Sequence, residues 1–76
     1  MNKERRKAIG KIVDKLGDLK IEVEEIRDDE EQALEALPES FQYGEKGDKM
    51  QEGIDALDNA ISSLEEASDY LMEAQS

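Results

Sequence analysis

The sequence predicts an all-α fold: an antiparallel two-helix hairpin, coiled-coil-like, that assembles as a dimeric four-helix bundle or a higher oligomer. Three observations predict it. Two long segments carry apolar residues at alternating spacings of three and four, the signature of one helical face. A short connection containing the only proline separates them. The 76 residues include just 19 Ile, Val, Leu, Met and Phe, and there is no cysteine or histidine to add a disulfide or a common structural metal site. A core that small ordinarily needs surface buried against another chain.

Helix 1 is expected over about 2–37. Its seam runs Ile9, Ile12, Leu16, Leu19, Val23, Ile26, Glu30, Ala33 and Leu37, one charged place in nine. The residue before a proline is pushed away from helical geometry, so the helix should end near Leu37, ahead of Pro38. Residues 38–44 (Pro-Glu-Ser-Phe-Gln-Tyr-Gly) read as a loop, short enough to set the two helices antiparallel. Helix 2, about 45–75, repeats in four consecutive heptads from Gly47. Its seam is Met50, Ile54, Leu57, Ile61, Leu64, Ser68 and Leu71, and each heptad closes on a small residue: Gly53, Ala60, Ala67, Ala74. The expected core is thus Ile9, Ile12, Leu16, Leu19, Val23 and Ile26 against Ile54, Leu57, Ile61, Leu64 and Leu71. Pairing residues whose numbers add to 83 or 84 sets Ile12 beside Leu71, Leu19 beside Leu64 and Ile26 beside Leu57. It also lays Lys7, Lys11 and Lys15 along Glu65, Glu66, Asp69 and Glu73. Val13, Ile21, Leu34 and Met72 lie off the seam and widen the apolar face as a bundle requires.

The net charge of −11 is uneven. Residues 1–20 hold seven Lys and Arg against three acids, and residues 21–76 hold three against eighteen. That balance argues against direct nucleic-acid or anionic-membrane binding by the whole surface. The charged start is followed by no apolar run of signal-peptide type, and nothing approaches the length of a membrane span, so a cytoplasmic protein is expected. The lack of cysteine fits a reducing compartment.

Catalysis is disfavoured by inventory. Without His or Cys there is no imidazole base and no thiolate, and Ser62 and Ser63 lie on a helix with no base in a plausible arrangement. No cofactor and no metal are expected. Asp28-Asp29-Glu30-Glu31 lacks the spacing of a calcium loop, and consecutive helical residues point apart, so a solvated face explains it better. Glu30, on the seam, should be solvated, paired with Arg27 or Lys49, or part of a ligand pocket. Ser68 more simply bonds its own helix backbone. The stretch Gly44-Glu45-Lys46-Gly47 stands where helix 2 begins and could receive an anion, though it is not a P-loop; a flexible cap is the plainer reading. Phe41 and Tyr43 either close the bundle end or stack a base. Arg5 and Arg6 either clamp a phosphate or fray into solvent.

The basic opening Asn2-Lys3-Glu4-Arg5-Arg6-Lys7, the acidic middle, the loop Leu37-Pro38-Glu39-Ser40-Phe41-Gln42, the following Gly44-Glu45-Lys46-Gly47 and the closing Leu-Glu-Glu-Ala heptads together resemble a family of small bacteriophage- and prophage-encoded proteins that have no assigned function. The likeness spans nearly the whole chain, and the loop is its distinctive part. Family members tend to carry Ser where this chain has Gly44, so a Ser helix cap is missing here. The resemblance implies a phage accessory protein in the bacterial cytoplasm, and such proteins often disarm host defences. One expectation is an oligomeric sponge for a nucleotide-type immune signal, with Phe41 and Tyr43 stacking the base, Gln42 reading its edge, and Arg5, Arg6 and Lys46 holding phosphate. A second is an acidic inhibitor or DNA mimic for a basic host protein. A third is an adaptor in phage particles. In each case the chain also partners itself.

Overall fold

A computed structural model describes residues 1–76 as two long antiparallel helices joined through a one-turn helix: α1 (Lys3–Glu35), α2 (Glu39–Gln42) and α3 (Glu45–Gln75). The start of α1 is set by Asn2. Its backbone is extended and its side-chain oxygen accepts the Arg5 N–H at 2.8 Å, satisfying one of the first-turn donors that the helix itself leaves unpaired. Glu4 adds a negative charge to that turn, favourable to the helix dipole. At the other end the Ala36 N–H donates to the Gln32 carbonyl at 3.0 Å and the Leu37 N–H to the Leu34 carbonyl at 3.1 Å. Pro38, with no N–H to donate, then turns the chain.

The connection is more ordered than a loop. The Pro38 carbonyl accepts the N–H groups of Phe41 (2.8 Å) and Gln42 (3.1 Å), closing α2. Gly44 enters α3 in extended backbone and offers no side-chain cap, while Glu45 and Asp48 in the first turn favour the dipole. Neither long helix has a basic residue in its last turn.

The helices pack into a rod with extents of 58 × 15 × 11 Å. Only two residues are buried, Gly47 and Ile54, and Ile54 is just 2 % exposed. The rest of the α3 seam (Met50, Leu57, Ile61, Leu64, Ser68, Leu71) is half-buried, as are Ile9, Leu16 and Val23 of α1.

The second set of α1 seam residues lies elsewhere than the spacing suggests. Ile12, Leu19 and Ile26 are 45, 48 and 58 % exposed rather than packed beside Leu71, Leu64 and Leu57. In their stead Val13, Lys20, Arg27 and Leu34 are half-buried at the helix–helix junction. The physical reason is an ion-pair edge. Lys20 Nζ meets Glu65 at 2.7 Å, and Arg27 Nε donates to Asp58 at 2.8 Å. Both pairs join residues whose numbers add to 85, one or two beyond the expected register, and they roll α1 so that one edge of its wide apolar stripe turns away from α3. The basic start of α1 does lie along the acidic end of α3, yet Lys7, Lys11 and Lys15 make no ion pair; Lys20 makes it.

Candidate functional site

The loop end gathers four of the six residues proposed to hold a ligand. Phe41 is 55 % and Tyr43 79 % exposed, so neither closes the bundle end within one chain. Lys46 is exposed on the first turn of α3. Gln42 has a different occupation. Its amide nitrogen donates to the Leu37 carbonyl at 2.7 Å and the Glu35 carbonyl at 3.2 Å, two acceptors that the end of α1 leaves open. With both amide hydrogens engaged, only the side-chain oxygen of Gln42 is free to read a ligand edge.

Gly47 is what lets this end close. A Cβ built there would stand 2.0 Å from the Gln42 carbonyl oxygen and 2.7 Å from that of Phe41. The first turn of α3 therefore packs directly on the backbone of α2, and only a hydrogen fits between them. The glycine serves close approach of two backbones.

Arg5 and Arg6 are not part of this cluster. They lie near the opposite end of α1, which at ~1.5 Å per residue is about 50 Å long. A single chain does not bring them to Phe41 and Tyr43. Arg6 instead shares a shallow open groove with Lys7 and Lys11, over Gly10, Met72 and Gln75. A neighbouring shallow groove runs over Gly17 between Lys20 and Glu65. Both owe their space to glycine on α1.

A third cluster escaped the sequence reading. Arg27 pairs with Asp58 across the helices and with Asp28 and Glu31 on its own helix. These hydrogen bonds, that to Asp58 foremost, raise its affinity for its proton above the ordinary arginine value. The hydrogen bond from Lys20 to Glu65 likewise raises the Lys20 pKa. Val13, Lys20, Arg27 and Leu34 are seven apart, so the apolar members of that set pointed to the whole row. Glu30 is half-buried and takes no ion pair, because Arg27 is directed to its other neighbours. No group of three or more metal-ligating side chains converges. No helix is long and apolar enough to cross a membrane.

Comparison with protein-family models, curated proteins and solved structures finds no match to this chain.

Proposed function

We propose that this chain is a non-catalytic, self-associating phage accessory protein that uses its acidic helical surface to occupy a basic groove on a bacterial host protein, as an inhibitor or a mimic of nucleic-acid charge. One observation carries the reading. Of the eighteen carboxylates in residues 21–76, only Asp28, Glu31, Asp58 and Glu65 enter an ion pair within the chain. Fourteen are left to interact outward, and none is buried. A rigid rod holding that many uncompensated charges attracts basic partners over a Debye length and loses them as salt rises. No enclosed pocket is required, which suits a chain whose grooves are shallow.

The test is capture from bacterial lysate on the immobilised chain, eluted by a salt gradient and, separately, by duplex DNA. The expected eluate is a basic host protein released by both. If basic proteins pass through at low salt, the reading fails.

A second reading is favoured by the exposure of Phe41 and Tyr43 beside Lys46: a sponge for a nucleotide-type signalling molecule. Calorimetry against cyclic oligonucleotides and ADP-ribose derivatives decides it. Heat that vanishes in Tyr43→Ala supports stacking, whereas silence across the panel removes the sponge.

A further inference from the structure

The roll of α1 leaves a row of large apolar side chains bare, and the row has a counterpart. Ile12, Leu19 and Ile26 are seven residues apart and continue into Ala33, also exposed. On α3 the small residues Gly53, Ala60, Ala67 and Ala74 repeat at the same interval. Helical geometry puts the two rows on one face of the hairpin. The ion pairs Lys20–Glu65 and Arg27–Asp58 and the junction of Val13 with Met72 mark one edge of the helix–helix contact. Ile12, Leu19 and Ile26 lie on the other side of Ile9, Leu16 and Val23 from that edge. Gly53, Ala60 and Ala67 lie on the other side of Leu57 and Leu64 from it. By the observed register Ile12 stands level with Ala74, Leu19 with Ala67, Ile26 with Ala60 and Ala33 with Gly53. Successive levels are ~10 Å apart.

We propose that this face binds a second copy of the chain about a two-fold axis parallel to the helices, so that α1 of each copy lies over α3 of the other. The inference rests on the self-association in the function proposed above and adds its face and geometry. Size matching selects the arrangement. At the three upper levels the large side chain of each copy faces the partner's alanine, and alternating large and small residues across facing positions is how layers interdigitate without voids. Turning the copy about an axis perpendicular to the helices would set α1 on α1, with large on large at one edge and small on small at the other. In the parallel-axis dimer both loops, with Phe41 and Tyr43, sit at one end and both pairs of Arg5 and Arg6 at the other. Dimerisation therefore does not complete a site from one copy's loop and the other's arginines.

Sedimentation equilibrium and a distance measurement separate the two claims. The unmodified chain is expected at twice its 8.6 kDa mass. A purely monomeric mass overturns self-association and this proposal together. Because the chain has no cysteine, Tyr43→Cys carries a single spin label at the exposed loop. The parallel-axis dimer gives a label separation on the order of 20 Å, the width of a few packed helices. A separation on the order of 50 Å, the length of the rod, in a chain of dimeric mass overturns the arrangement alone. Leu19→Asp should convert the dimer to monomer, whereas Ile21→Asp, equally apolar and exposed but on another face, should leave the mass unchanged. Dimer loss in both variants, or in neither, overturns the assignment of the face. Circular dichroism confirms that each compared variant retains its helices.

Discussion

The two ends of the hairpin are built on different principles. At the loop end α2 and the first turns of α3 interlock: Gly47 lies against the Gln42 carbonyl, Gln42 ties back to the end of α1, and Ile54 is sealed from water one heptad further on. At the free end no residue is more than half-buried, and Gly17 leaves open space where a side chain would fit. One end holds a unique geometry, and the other is kept in place largely by the continuity of its helices. The difference teaches that two helices alone can specify a turn but cannot by themselves enclose an interior. Opening under stress should start at the free end, where few apolar contacts must be broken.

Substitutions can break or sharpen that contrast when melted at one fixed protein concentration. Ile54→Ala should cost the most, about 2–5 kcal/mol, as removal of a fully buried aliphatic side chain does. Leu71→Ala, half-buried at the free end, should cost clearly less; equal losses would erase the contrast. Gly47→Ala comes next. Inserting a methyl group against backbone forces α2 and α3 apart, at a cost of about 1–3 kcal/mol, or roughly 4–8 °C in Tm per kcal/mol for a chain of this size. Gly17→Ala should act in the opposite direction. A Cβ there meets nothing within 4 Å, so the helix gains about 0.8–1.0 kcal/mol of propensity. A loss of Tm in that variant would mean that the groove is packed after all. The smallest effect concerns alkali. The Lys20 pKa is raised above its ordinary 10.5 by the hydrogen bond to Glu65. Its contribution is therefore complete below that value and fades as pH climbs through the higher folded value. The unmodified chain should lose Tm slightly more steeply above pH 10.5 than Lys20→Met does; parallel curves would show that the pair does not contribute.

Much of the architecture was legible in the spacing of apolar residues. The α3 seam from Met50 to Leu71 faces α1, and the chain turns at Pro38. The roll of α1 was not legible, because its stripe is wider than one neighbour can cover. Which edge faces α3 depends on Lys20 and Arg27 reaching carboxylates on the other helix, a fact of tertiary geometry. Gln42 is similar: nothing in a polar loop residue announces that its amide will find carbonyls five and seven residues back. Gly47 was visible as a glycine but not as a contact. The proximity of Phe41, Tyr43 and Lys46 follows from sequence proximity alone. The separation of Arg5 and Arg6 from them was deducible from topology, since the turn of a hairpin is the point farthest from its termini.

The elongation of the rod has a practical consequence. A compact chain of this length has a radius of gyration of about 11 Å, whereas this one has 17.2 Å. Its frictional drag is that of a larger particle, so it should leave a gel-filtration column early for its mass. A calibration against globular standards would then report an oligomer even for a lone chain.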